Sequence, residues 1–294
     1  MNASRLRIFE EKLSELASRD SISLVQPVRA SEDELLLFHT KQYVDRVKKL
    51  SETGEGYLDY GDTPAFKGVY EASMYPVGNT LNGLESLMEG KFDHFFNPVG
   101  GLHHASSDEA RGFCVFNDSS IAISRAINEY RMRSVAYVDI DAHHGDGIYY
   151  EFEADPRVIV GDIHEDGHYL FPGTGMENET GKGFGLGTKM NIGLKPGSGD
   201  EEFFKAFDGV EDFIAAAKPD FIFFQCGADG LAGDPLTHLR YSSRPHAYAA
   251  GKLHALSHKI CKGRILAMGG GGYNPQNVSA AWSAVIEELS RQTE

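Results

Sequence analysis

Four short apolar runs, each stopped by glycine together with histidine, aspartate or tyrosine, limit what this chain can fold into. They are FDHFF before NPVGGLHH (97–104), VAYVDID before AHHGDG (142–147), FIFFQ before CGAD (226–229) and RILAM before GGGGYN (269–274). Apolar runs of about four to eight residues bounded by glycine have the length and punctuation of buried strands. Strands are predicted at 25–28, 92–96, 134–141, 157–162, 188–193, 220–226 and 263–268. Helical spacing covers 4–18, 41–50, 68–89, 117–130, 145–153, 200–217, 244–261 and 275–291, with Leu6, Phe9, Leu13 and Leu16 forming one stripe of the first helix. Ser31 followed by Glu34 predicts a capping box at the start of a further helix. Strand and helix alternate through most of the chain, which predicts a mostly parallel sheet covered by helices on both faces. No linker, repeat or low-complexity break divides residues 1–294, so one α/β domain is expected.

In open parallel sheets, ligands bind in the crevice beyond the carboxyl ends of the strands. The reactive residues collect there. Alternation along an extended 134–141 segment would turn Asp139, Asp141 and His143 to one side. Burying neighbouring carboxylates is costly unless a positive charge neutralises them, and a divalent metal does so. Asp141 and His143, joined by Asp229 from another strand end, form a set of two carboxylates and one imidazole. Three protein ligands leave a position open, as catalytic metal sites do. Such ligands suit Zn²⁺ but also Fe²⁺ or Mn²⁺. The plainer alternative is a metal-free Asp and His hydrogen-bond network, and Asp229 before glycine also suits a turn. His103 and His104 follow a Gly-Gly pair and suit acid–base work, with Asp139 and Asp146 available to orient them. A histidine after a strand is otherwise an ordinary structural residue. Tyr273, behind four glycines, is placed either to donate to an oxyanion or to cap a glycine turn. The loop GTGMENETGKG (173–183) is neither a phosphate-binding loop nor a dinucleotide fingerprint, because its spacing and its lack of a feeding strand are wrong.

The net charge of −15 argues against a nucleic-acid surface, which needs lysine and arginine. An acidic surface would attract lysine-rich or amine ligands, but the plainer reading is simply a soluble acidic protein. Three cysteines without a CxxC spacing point to a reduced, cytoplasmic compartment. The charged amphipathic start lacks a signal-peptide core, and no run approaches the roughly 18 apolar residues of a membrane span.

Taken together, GGLHHASSDEARGFCVFND (100–118), YVDIDAHHGDG (137–147), FQCGADGLAGDPL (224–236) and MGGGGYN (268–274) resemble the arginase-like histone deacetylase family. That family includes acetoin-utilisation-type and acetylpolyamine deacetylases, and LFPGTG (170–175) adds a weaker match. The resemblance implies a three-layer arginase-like fold and Zn²⁺-dependent hydrolysis of an N-acetyl amide. It implies Asp141, His143 and Asp229 as metal ligands, His104 with Asp146 as general base, and His103 with Asp139 as electrostatic partner. Tyr273 would polarise the acetyl carbonyl. Gly112, Phe113 and Phe171 would line an acyl-lysine tunnel, with Asp62 at its rim. A potassium ion near Asp139, Asp141, His143 and Asp162 is also implied. Arg5 resembles the arginine of the family's internal cavity. The family's usual first strand and Gly/Pro loop have no counterpart ahead of Ser4, so an uncovered sheet edge, an altered cavity or a homo-oligomer covering the gap is expected. The implied substrate is acetyl-lysine in protein or peptide. Acetylated polyamines or other small amides are the second reading, and a relative that keeps the pocket without turnover is the third.

Overall fold

The computed structural model describes residues 3–19 and 21–292. A short 3₁₀ turn leads into α1 (Arg7–Leu16), α2 (Glu32–Leu35), α3 (Lys41–Thr53) and α4 (Val69–Met88). Then come β1 (His94–Asn97), α5 (Asp118–Asn128), β2 (Val135–Asp139), α6 (Asp146–Phe152), β3 (Val158–Glu165) and β4 (Lys189–Leu194). The chain closes with α7 (Asp200–Ala217), β5 (Ile222–Gln225), α8 (Arg244–Ile260), β6 (Ile265–Met268) and α9 (Pro275–Leu289). The strands form one sheet in the order β1-β6-β5-β2-β3-β4, and every pairing is parallel.

The central strands β2, β5 and β6 are apolar up to their carboxyl ends, where Asp139 and Gln225 stand, because both faces of the sheet are covered. Period-two alternation divides their side chains between two cores. Ala136, Val138, Ile222, Phe224, Ile265 and Ala267 join the core that includes Phe9 of α1 and Trp282 of α9. Val135, Tyr137, Phe223, Leu266 and Met268 pack with Val44 of α3, Leu81 of α4 and Ile121 of α5. The chain runs outward from β2 through β3 to β4, then returns to β5 on the other side of β2. The sheet therefore changes direction between β2 and β5, and ligand crevices open at such a point.

One predicted strand is absent, and the ends of the others shift by up to three residues. Residues 25–28 form no strand: Leu24, Val25 and Val28 are exposed, and the Val28 amide donates to the Asn79 side chain rather than to a ladder. The segment has strand-like residues but no neighbouring strand, and Pro27 lacks a donor. Among the shifted ends, β2 stops at Asp139 rather than 141. The capping box does form, with the Ser31 amide 2.7 Å from Glu34 Oε2 and the Glu34 amide 3.3 Å from Ser31 Oγ. No helix among the described residues is long and apolar enough to cross a membrane. All three cysteines are buried and unpaired.

Candidate metal centre and acid–base site

Beyond β2 the backbone is held by its own aspartates. Asp139 Oδ1 accepts from the Asp141 amide (3.0 Å), and Asp141 Oδ1 accepts from the His143 amide (3.0 Å). The shared direction of these side chains thus comes from consecutive side-chain-to-backbone turns, not from a continued pleat. Asp229 arrives from the β5 end, where its Oδ1 accepts from the Ala142 amide at 2.8 Å. Thr237 Oγ1 donates to the Asp229 carbonyl. His143 Nδ1 lies 3.1 Å from Asp141 Oδ1 and 3.0 Å from Asp229 Oδ2. One ligand atom from each of the three buried residues falls within 4.8 Å of the others.

This donor set fits a divalent cation. Burial disfavours a charged His143, yet hydrogen bonds to Asp141 and Asp229 outweigh it and push its pKa well above the usual range. The two carboxylates demand a positive charge between them. Glycines leave room for the cluster. A Cβ at Gly227 would lie 2.1 Å from Asp141 Oδ2, and one at Gly271 would lie 2.2 Å from Asp229 Oδ2. Gln225 Nε2 and the Gly271 amide each donate to Asp141 Oδ2 at 2.8 Å.

The two adjacent histidines sit beside this cluster. Asp118, at the start of α5, holds the preceding turn by accepting from the Gly101 and Leu102 amides at 3.0 and 2.8 Å. His103 Nδ1 is 2.7 Å from Asp139 Oδ2, which also accepts from Tyr137 OH at 2.9 Å. His104 Nδ1 is 2.6 Å from Asp146 Oδ1, and Arg111 Nη1 is 3.1 Å from the other oxygen of that carboxylate. The two Nε2 atoms are 3.1 Å apart, so one donates and the other accepts. Their environments push them in opposite directions. Burial lowers His103, but Asp139 and Asp141 prevail and raise it to about 10. Burial, with the adjacent His103, lowers His104 to about 4 in spite of Asp146. His104 is therefore the neutral ring, and paired groups tuned apart in this way divide acid and base roles.

His103, His104, Asp141, His143, Gly271 and Tyr273 line one small cavity, together with Gly112 and Cys114. The Tyr273 amide donates to Asp234 Oδ2 at 2.8 Å. Burial, then Asp229 and Asp141, raise the Tyr273 phenol well above its ordinary value, so it stays a proton donor. Arg5 lies buried under the glycine run, donating to the Gly272 carbonyl at 2.9 Å and the Gly270 carbonyl at 2.8 Å. Phe171 flanks the cavity on the histidine side, with ring centroids 5.1 Å from His104 and 6.4 Å from His143. Phe113 flanks the other side, 6.0 Å from Tyr273. Arg111 and Cys114 close a tight turn around Gly112 and Phe113, both at positive φ (52° and 66°). A phenylalanine there is uncommon, and the turn sets its ring beside that of Tyr273. A Cβ at residue 112 would meet the His104 ring at 2.5 Å.

Asp62 is exposed on the loop after α3 and accepts from Thr63 Oγ1 at 3.1 Å. Thr63 Oγ1 in turn accepts from the Phe113 amide at 3.1 Å, which places Asp62 beside the aromatic turn. Asp59, which sequence reasoning passed over, organises this loop by accepting from the Gly61, Asp62 and Thr63 amides. Asp162 pairs in register with Asp139 in the neighbouring strand. Its carboxylate meets His164 Nδ1 at 2.7 Å and the Gly145 amide at 2.9 Å. Gln225, Tyr137, Arg111 and Asp118 were also missed. The signal for Gln225 and Asp118 was a polar residue inside otherwise apolar, buried surroundings.

Residues 1–289 match the histone deacetylase domain. Acetoin utilization protein AcuC of Bacillus subtilis (strain 168) is 40% identical over 98% of this chain and 76% of that protein. AcuC of Staphylococcus xylosus is 34% identical over 98% and 77%. The crystal structure of the HDA15 HD domain superposes with a TM-score of 0.87 at 28% identity, covering 97% of this chain and 83% of that one. The chain belongs to the histone deacetylase domain family.

Proposed function

We propose that this protein is a metal-dependent deacetylase that hydrolyses the N-acetyl amide of acetyl-lysine in a protein or peptide. One observation carries the proposal: Asp141 and His143 of the buried Asp-His-Asp cluster line one cavity with two oppositely tuned histidines and Tyr273, beside two aromatic rings. Asp141, His143 and Asp229 would hold the ion, with Zn²⁺ favoured and Fe²⁺ an alternative. A bound divalent ion supplies Lewis acidity toward the acetyl oxygen and toward water.

The remaining chemistry belongs to the chain. His104, neutral and oriented by Asp146, takes a proton from the attacking water. The same ring returns it to the amine nitrogen as the C–N bond breaks, releasing acetate and leaving a free lysine ε-amine on the peptide. His103, paired with Asp139, is the electrostatic partner beside the reacting carbonyl. Tyr273 donates its phenol proton in a hydrogen bond to the oxyanion. Phe113 and Phe171 would enclose the aliphatic stem of the lysine and leave the polar backbone outside. Tyr60 is 98% exposed, and Tyr57 and Phe66 are also exposed, on the loop that carries Asp59 and Asp62. That open aromatic rim supports a peptide over a small free amine.

The test is a fluorogenic acetyl-lysine peptide assayed beside acetylated polyamines, with and without chelator. Chelator-sensitive release from the peptide is expected. Preferential turnover of acetylpolyamines would move the substrate to the second reading, and inertness of the metal-loaded protein toward every acetyl amide would reject the reaction.

A further inference from the structure

A second group of potential metal ligands lies at the opposite, amino-terminal end of the sheet. His94 opens the edge strand β1, in register with Ile265 at the start of β6. His254 and His258 stand four residues apart on α8, and side chains so spaced share one face of a helix. Each of the three rings presents a nitrogen within 4.8 Å of the other two. The ring centroids are 4.6, 5.3 and 5.0 Å apart.

Pairing with carboxylates does not explain this arrangement. Among the described residues none of the three rings pairs with a carboxylate, and His94 Nδ1 is buried without a hydrogen-bond partner. His94 Nε2 and His258 Nε2 are 3.4 Å apart. Two nitrogens about 2.0–2.1 Å from one tetrahedral ion are separated by about 3.3 Å, so this pair already stands at chelating distance. The His258 ring fits because residue 263 is glycine: a Cβ there would lie 2.7 Å from it, and the backbone at φ 77° favours glycine. Neutral imidazoles are the form that binds Zn²⁺, and paired histidines at this helical spacing are a recurrent zinc-binding device.

We infer that His94, His254 and His258 form a second binding site for a divalent transition ion, separate from the Asp-His-Asp cluster, which ties the edge strand β1 to α8. Three imidazoles leave a position for water on the solvent side, where His258 reaches the surface. The site takes a borderline-soft cation such as Zn²⁺ in preference to Mg²⁺ or Ca²⁺, which require oxygen ligands.

Equilibrium dialysis of the full chain against Zn²⁺, followed by metal analysis, tests the inference. His254→Ala/His258→Ala is expected to bind about one ion fewer per chain than the wild type. Asp141→Asn/Asp229→Asn, which alters only the other cluster, retains the ion held by the three histidines. A milder His254→Gln/His258→Gln variant and the melting curve of each metal-free protein separate loss of a site from loss of the fold. Cobalt substitution adds an independent readout, because absorption bands of nitrogen-bound Co²⁺ in Asp141→Asn/Asp229→Asn should vanish once His254 and His258 are also replaced. Equal zinc content in the wild type and both folded histidine variants would overturn the site.

Discussion

Gly271 shows how tightly single residues are specified around the Asp-His-Asp cluster. Its amide donates to Asp141 Oδ2 at 2.8 Å, and a methyl group in place of its hydrogen would lie 2.2 Å from Asp229 Oδ2. Gly271→Ala should therefore displace a carboxylate and reduce metal affinity by about 10-fold or more, measured by zinc titration of the folded variant. Tyr273→Phe removes one hydrogen-bond donor and no ligand. We expect it to retain the metal and to lose about 10²–10³ in kcat. Loss of metal together with activity would instead make Tyr273 a structural residue. At this scale the sequence was legible where chemistry alone singles out a residue, as with Asp141 and His143 after an apolar run. Gln225 was not legible in the same way. Its importance depends on standing opposite Asp139 in the neighbouring strand and reaching Asp141 across it, and only the strand register supplies that fact.

At the scale of elements, His39 joins the α2–α3 connection to the cap of α5. Its Nε2 accepts from the amide of Asn117, the N-cap residue of α5, at 2.9 Å, while Nδ1 lies 3.3 Å from the Ser107 carbonyl. Protonation of Nε2 would turn an acceptor into a donor facing a donor. Burial lowers the His39 pKa from 6.5 to about 4, against the opposing backbone bonds to Ser107 and Ser106. A histidine depressed in the folded state binds its proton more readily when unfolded. The stability it contributes is present above about pH 6.5 and is lost as pH falls toward about 4, by up to about 3 kcal/mol. Denaturant midpoints across this window should fall in the wild type and change less in His39→Gln; parallel slopes in both proteins would remove His39 as the cause. The 25–28 segment failed as a predicted strand for a related reason. Strand formation needs a partner, and local composition does not reveal that none is adjacent.

For the whole molecule, the sheet order explains why residues far apart in sequence meet. Asp141 and His143 follow β2, Asp229 follows β5, and these neighbouring strands flank the place where the chain changes direction. Alternating strands and helices made that parallel architecture legible in advance, whereas the order of strands was not, because apolar patterning marks a face and not a neighbour. Ion binding to this folded cluster should stabilise the protein by mass action, by about 4 kcal/mol when free zinc exceeds its dissociation constant 1,000-fold. Asp141→Asn should abolish that part of the thermal shift. The decisive measurement is hydrolysis of an acetyl-lysine peptide by protein stripped of metal and then reloaded with zinc. Activity should disappear on stripping, return with zinc, and fail to return in Asp141→Asn. Hydrolysis that persists in the stripped protein, or that zinc restores equally in Asp141→Asn, would contradict the assignment of this cluster as the reaction centre.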